Sequence, residues 1–278
     1  MPLGNIGKGI KDALVATVKG AGDVLGTTVN TTRENTVKAL QGVRDISKEA
    51  TGAVTDIVTG AVQGTLEVGT EVGSAAKGAV IGTIQGVGEV TTVTVGTLSD
   101  TIRAAIKGTS EVGGDVAKAG QGAAEGAIAT SKQIGMSLED AAVSVARGAI
   151  KGTSEVGGDL AKEAKSVVNG TIKGAQEIGA NTIDAARDSA RGLIRGTSEV
   201  GGDLGSVARN AVEGAIEAAG AVGVKAEEAA SAAATGAVEA ASQISEASAR
   251  TVRDAVTGTI AGVRVVVQAP FKGEEKKE

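Results

Sequence analysis

The sequence GTSEVGGD occurs at Gly108–Asp115, Gly152–Asp159 and Gly196–Asp203, and the three copies are spaced 44 residues apart. Forty-four residues are four elevens, and the chain divides into 11-residue blocks such as GIKDALVATVK (9–19) and TVRDAVTGTIA (251–261). Alternate blocks differ, so the larger unit has 22 residues. Internal repeats of this kind indicate an architecture built from one small structural unit, stacked many times.

The block length matches an α-helix. Eleven residues in three helical turns amount to about 3.67 residues per turn, so each block position stays on one side of the helix. The fourth position is mostly acidic, as in Glu155, and the tenth is mostly isoleucine or valine, as in Ile150. This pattern predicts amphipathic helices and not half-buried strands. We expect residues at equivalent positions to share an environment, with isoleucines inside (Ile106, Ile150, Ile194) and glutamates outside (Glu111, Glu155, Glu199).

The apolar side of these helices is the first candidate site. It is rich in Val and Ile but shallow, because the chain has no Trp or Tyr and a single Phe. Such a face can pack against other helices or enter the acyl boundary of a lipid surface. The residues expected on this lipid- or helix-packing face are Val112, Ile128, Ile134, Ile150, Val156, Ile172, Ile178, Ile194, Val200 and Ile216.

Glycine is the other residue that recurs in register. Each of the 43 glycines would cost about 1 kcal/mol relative to alanine inside a helix. Pairs four residues apart allow two helix backbones to approach closely. The Gly-Gly step of each octapeptide, followed by aspartate, is instead typical of a helix break with an N-cap (Asp115, Asp159 and Asp203). Both interpretations stay open. The candidate close-packing glycines are Gly60, Gly64, Gly82, Gly86, Gly148, Gly152, Gly170, Gly174, Gly192 and Gly196.

We therefore predict an all-α protein of long amphipathic helices, extended or folded as hairpins, and non-globular. The two prolines lie near the ends, at Pro2 and Pro270, so proline kinks no helix between them. The predicted organisation is an N-terminal lead (1–8), a tandem-repeat helical region (9–262) and a C-terminal segment with a charged tail (263–278). Residues 211–249 form an alanine-rich, acidic part of the repeat region. The stretch VRVVVQAPF (263–271) breaks the pattern and predicts a short strand or loop, or an apolar anchor.

Composition excludes several classes of function. The chain contains no His and no Cys, so the usual general base, thiolate nucleophile and soft metal ligands are missing. No basic stripe is present, and the net charge of −5 comes from residues 213–246, which hold six acids and one base. We expect no enzyme activity, cofactor, metal, small-molecule substrate or nucleic acid. Residues 1–20 lack an apolar run of the kind found in secretory signals, so we expect a cytoplasmic protein.

Blocks such as GAIKGTSEVGG (148–158) and GTIKGAQEIGA (170–180) resemble the tandem 11-mers of synucleins and perilipins. Their pairing into 22-residue units resembles the exchangeable apolipoproteins. The resemblance covers residues 9–262 and is architectural, because the KTKEGV core of synucleins and the regular prolines of apolipoproteins are absent. It implies a non-catalytic amphipathic-helix protein coating a vesicle, droplet or storage granule, peripheral to that surface.

Two other functions fit the same repeats. The helices could pack on copies of this chain in glycine-packed bundles, tubes or filaments, as a structural, self-assembling homo-oligomer. The chain could alternatively be a stress or desiccation protein, since late-embryogenesis-abundant proteins also use 11-mers. A coat needs one apolar face per helix, whereas a layered assembly needs at least two.

Overall fold

The computed structural model describes residues 4–19, 22–42 and 49–267. Within these ranges the chain forms twelve α-helices and one two-stranded sheet. In chain order the elements are α1 (Asn5–Val18), α2 (Val24–Gln41), α3 (Glu49–Glu67), α4 (Val72–Val90), α5 (Val95–Glu111), α6 (Val116–Ser131), α7 (Leu138–Glu155), α8 (Leu160–Glu177), α9 (Thr182–Glu199), α10 (Leu204–Val222), α11 (Ala226–Ile244), α12 (Glu246–Val256), β1 (Gly258–Ile260) and β2 (Val263–Val265).

The expectation of an all-α chain is confirmed, but the expectation of long, non-globular helices is wrong. No helix of the described residues exceeds 19 residues. From α6 to α11 consecutive helices start 22 residues apart, as α7, α8 and α9 do at residues 138, 160 and 182. A glycine with positive φ follows most helices, and the helical hydrogen bonds stop there. One 22-residue unit is therefore one helix and one turn.

The helices pack in two layers. Each helix from α1 to α11 makes its most extensive contacts with a helix two places away along the chain, and smaller contacts with its immediate neighbours. Odd-numbered helices thus form one layer and even-numbered helices the other. Helices within a layer run parallel, as the contacts between α5 and α7 show. Gly148 contacts Ser99, and four residues later on both helices Gly152 contacts Arg103. The repeat builds a packed helical solenoid, in which each interior helix is covered on three sides.

The core runs the length of the solenoid. One isoleucine from each of helices α4 to α9 is completely buried, at 22-residue spacing (Ile84, Ile106, Ile128, Ile150, Ile172, Ile194). Alanines complete the core; in α7, for example, Ala142, Ala146 and Ala149 are also fully buried. Each such side chain contributes little area, but the close spacing of the helices leaves no room for larger ones.

The two ends of the solenoid differ from its middle. Helix α2 buries only one stripe, formed by Thr28, Thr32, Thr36 and Leu40. At the other end α12 has 11 residues, and an antiparallel hairpin of β1 and β2 follows it. Ala261 and Gly262 form its two-residue turn with positive φ at both positions.

The predicted segment boundaries do not coincide with the ends of the observed elements at either end of the chain. Helix α1 begins at Asn5, inside the predicted lead of residues 1–8. The hairpin lies on both sides of the predicted boundary at residue 262, and Val263–Val265 is the strand that the pattern break allowed. The predicted acidic region of 211–249 corresponds to parts of α10 and α12 together with all of α11. The predicted tail and Phe271 lie outside the described residues.

Candidate functional site

The octapeptide GTSEVGGD contains the last turn of one helix and the connection to the next helix. At residues 152–159, Gly157 has φ +68°, and Gly158 N–H donates to the Thr153 carbonyl oxygen at 2.8 Å. These two features form a Schellman-type helix end. Asp159 then caps α8, because its carboxylate accepts hydrogen bonds from Ala161 N–H (2.9 Å) and Lys162 N–H (3.1 Å). Asp115 and Asp203 cap α6 and α10 in the same way.

The glycine pairs inside the helices have a different role. A Cβ on Gly148 would lie 2.5 Å from the Ser99 carbonyl oxygen, and one on Gly152 would lie 3.1 Å from Arg103 Cα. Both distances leave no space for a side chain without movement of the neighbouring backbone. The other eight candidate close-packing glycines also face an adjacent helix of the same layer: Gly60, Gly64, Gly82, Gly86, Gly170, Gly174, Gly192 and Gly196. We call these contacts the glycine seams.

The expected packing-face residues fall into two groups. Ile128, Ile150, Ile172 and Ile194 are fully buried in the core. The fifth-position residues lie instead at helix ends, where Val112, Val156, Ile178 and Val200 are C-cap residues. Val112 is 48% exposed, and the rest of this group is half-buried, as are Ile134, beyond the end of α6, and Ile216. The fifth-position residues differ from the expectation because the helix ends shortly after the buried isoleucine, whereas Ile216 lies inside α10.

Polar residues on the outside link neighbouring helices of each layer. Glu199 of α9 forms ion pairs with Arg147 and with Lys151 (2.7 Å), both on α7. Arg191 contacts Glu239 of α11 at 3.0 Å and Glu139 of α7 at 2.7 Å, so it connects three helices. On the other layer Lys77 pairs with Glu125 at 2.7 Å. The seams are therefore covered by cross-helix charge pairs, each stabilising modestly because it is partly exposed.

Two acidic side chains of the described residues are buried, Asp188 and Glu163, and the repeat pattern did not predict the burial of Glu163. Glu163 of α8 is 0% exposed, and neither of its carboxylate oxygens has a hydrogen-bond partner. It lies against Gly120 of α6, where a Cβ would contact its carboxyl group. The repeat could have identified Glu163, because the equivalent positions hold alanine (Ala119, Ala141 and Ala185).

Another pocket of the described residues is an open groove. A groove of about 680 Å³ between α9, α11 and β2 contains both signs of charge, including Arg187, Glu228 and Arg264. Among residues 4–19, 22–42 and 49–267, no three acidic side chains converge to hold a metal ion. In the same part of the chain, no helix combines the length and hydropathy needed to span a membrane.

Comparison with known proteins identifies no family. No family model matches the chain, and no curated protein matches it. Among solved structures, a crystal structure of a de novo designed helical repeat protein is similar, with a TM-score of 0.38 and 17% sequence identity. The similarity covers 62% of this chain and 94% of the designed one. At this level the two chains are only distantly alike.

Proposed function

We propose that this chain is a non-catalytic structural scaffold, a stack of helices that holds its shape without a ligand. The single observation that carries this proposal is that the core apolar residues are buried between helices of the same chain. The core isoleucines and the glycine seams are occupied by contacts within one chain, so four of the residues that a coat would insert into lipid are already buried: Ile128, Ile150, Ile172 and Ile194. The outside carries cross-helix charge pairs, such as Lys151 with Glu199, together with partly exposed helix-end residues such as Val112.

Several features support a rigid body in particular. The glycine seams bring neighbouring backbones together, so small residues make many contacts over short distances. Aspartate caps at Asp115, Asp159 and Asp203 satisfy exposed N–H groups at the start of three helices. Ion pairs such as Lys77 with Glu125 cross the seams on the outside. A scaffold of this kind offers an extended surface for copies of itself or for other proteins.

The lipid coat is the second candidate, and peripheral attachment and a cytoplasmic location belong to it. It is favoured by the Val- and Ile-rich faces, which would become available if the layers separated on a lipid surface. This candidate requires the solenoid to open, at the cost of its glycine seams. It therefore predicts that lipid changes the packing of the helices and not merely their location.

Flotation with vesicles, combined with sedimentation of the free protein, separates the two functions. We would incubate the full chain with neutral and with anionic vesicles at low and high salt. The scaffold should stay in the lipid-free fraction and sediment as a folded particle, either as a monomer or as a defined oligomer. Flotation with vesicles, accompanied by loss of a cooperative thermal transition, would overturn the scaffold and establish the coat.

A further inference from the structure

Glu163 departs from the repeat at a place where the repeat is otherwise strict. Positions 22 and 44 residues away hold Ala119, Ala141, Ala185 and Val207, which are all buried. Glu163 is buried as completely as they are. A glutamate has replaced a small apolar residue in the middle of the solenoid, between α6 and α8.

A second departure accompanies the first. Gly120 of α6 stands where the repeat has Leu98, Ala142, Ala164 and Ala186. A Cβ on Gly120 would lie 2.6 Å from the Cδ atom of Glu163 and 3.0 Å from its Oε2. The missing methyl group of Gly120 therefore provides the volume that the carboxyl group occupies. Two residues 43 positions apart in sequence have the sizes that this contact requires.

The surroundings of the carboxyl group do not suit a charge. Neither Oε1 nor Oε2 has a hydrogen-bond partner, and the Thr153 hydroxyl at the end of α7 is also unpaired. The charged groups that face it are Asp115 on α6 and Lys162 on α8. Lys162 is already paired with Asp115, with 3.3 Å between Nζ and Oδ2. Asp159, the cap of α8, and Glu163 both line an open pocket of about 410 Å³ at the turn before α6.

Burial raises the pKa of Glu163 well above its usual range, and the neighbouring Asp115 adds to this rise. The Thr153 hydroxyl, which faces the carboxyl group but does not meet it in good hydrogen-bond geometry, and the Lys162 ammonium oppose it but do not outweigh it. The direction agrees with the geometry, because an ionised carboxylate without hydrogen bonds is poorly tolerated in an apolar interior.

We propose that Glu163 is a built-in proton-binding site. The neutral carboxyl group lets α6 and α8 pack closely around it, and loss of its proton to solvent loosens the contact between these two helices. The inference concerns the fold itself and holds whether the solenoid serves as a scaffold or as a coat. It makes the centre of the molecule, and not its ends, the part that responds to a rise in pH.

The sign of the effect follows from the raised pKa. The contribution of Glu163 to stability is fully present below the pKa of an unfolded glutamate, about 4.3. It is lost as pH rises towards the folded-state pKa, because the unfolded chain is then ionised and the folded chain is not. Over that window the unfolding equilibrium constant should increase about tenfold per pH unit. Above the folded-state pKa this contribution stops changing.

The first test compares the full-length chain with Glu163→Gln and Glu163→Ala. Denaturant unfolding would be followed at intervals from about pH 5 to about pH 9, a range that includes known buried glutamates. The native chain should lose stability with rising pH relative to both variants, and the variants should share one flatter profile. Parallel profiles for all three proteins would overturn the proposal, because the carboxyl group would then titrate normally.

The second test uses Gly120, and it does not depend on pH. Gly120→Ala alone should raise the unfolding equilibrium constant at least tenfold, since the new methyl group meets the buried carboxyl group. In the Glu163→Ala background the same change should be neutral or favourable, because alanine is the usual repeat residue at both positions. Equal effects in both backgrounds would show that Gly120 does not provide the space for the Glu163 carboxyl group.

Hydrogen exchange shows where the molecule opens. At the upper end of the pH range of the first test, amides of α6 and α8 should exchange faster in the native chain than in Glu163→Gln, compared at the same pH. Amides of α2 and α11 should exchange equally in the two proteins. A uniform difference along the whole chain would refute a local loosening of the seam.

Discussion

A methyl group on Gly192 of α9 would lie 2.6 Å from the carbonyl oxygen of Val143 on α7. The two helices belong to the same layer, and the absence of a side chain at Gly192 sets how closely they approach. The glycine seams repeat this relationship through both layers. Glycine, which normally weakens a helix, is here the residue that lets helices pack.

The first prediction is that Gly192→Ala destabilises the fold. The added methyl group should force the backbones apart and reduce the free energy of unfolding by about 1–3 kcal/mol, as overpacked cores do. Gly9 is the matched control, because it is helical and nothing lies within 4 Å of a Cβ placed there. Gly9→Ala should stabilise by up to about 1 kcal/mol through helix propensity. Denaturant unfolding measures both, and stabilisation at Gly192 would contradict the seams.

The second prediction concerns the turn between α7 and α8. Gly157 has φ +68°, and a Cβ there meets nothing within 4 Å. Gly157→Ala should therefore destabilise by about 1 kcal/mol through backbone strain alone. Gly157→Asn should cost less, since asparagine tolerates the left-handed conformation better. Thermal melts of the two variants suffice, and an alanine variant as stable as the native chain would rule out the Schellman-type turn.

The third prediction tests the cap of α8. Asp159→Ala removes the acceptor of the Ala161 and Lys162 N–H groups, so it should reduce the free energy of unfolding by about 1 kcal/mol. Asp159→Asn keeps an acceptor oxygen and should retain most of the stability. If asparagine proves as harmful as alanine in urea unfolding, the effect comes from charge and not from capping.

The fourth prediction concerns acid. Burial disfavours ionised Glu239, but hydrogen bonds from Arg187 and Arg191 outweigh it, so the pKa of Glu239 is lowered. Its contribution is present above about pH 4.3, the unfolded value, and is lost as pH falls through the folded-state pKa. Glu239→Gln should destabilise by about 1–3 kcal/mol at neutral pH, since it removes one partner of a partly buried pair.

The same variant should lose less stability on acidification than the native chain. Glu246→Gln is the control for this experiment, because Glu246 pairs with Arg250 on the surface and is 81% exposed. Its loss should cost no more than about 0.5 kcal/mol. Urea unfolding of both variants at neutral and acidic pH provides the comparison. Similar effects of the two substitutions would mean that burial adds nothing to the Glu239 pair.

Much of the local structure could be predicted from the repeat. The 11-residue register assigns Ile150 to the inside and Glu155 to the outside, and both lie there. The Gly-Gly-Asp step predicts a helix break with a cap, which Gly157 and Asp159 form. Close packing and helix breaks were weighed as alternatives for glycine, yet both occur, at different positions of the same block.

The layered arrangement could not be predicted in this way. Counting only Val and Ile gave one shallow apolar face, but Ala146, Ala149 and Gly148 are as buried as Ile150. When backbones approach closely, small residues form the core, and hydropathy patterns give them too little weight. The turn glycines also interrupt the helix every 22 residues, so the long helix implied by the continuous register does not form.

The central claim is that the repeat isoleucines are buried by the chain's own helices, without lipid or a partner. Because the chain has no cysteine, a single thiol at Ile150→Cys reports this directly, and Ser154→Cys on the exposed side of α7 is its control. In dilute, lipid-free solution, labelling at position 150 should be at least a hundredfold slower than at position 154, since it requires an opening of about 3 kcal/mol or more. Equal labelling rates at the two positions would contradict the account.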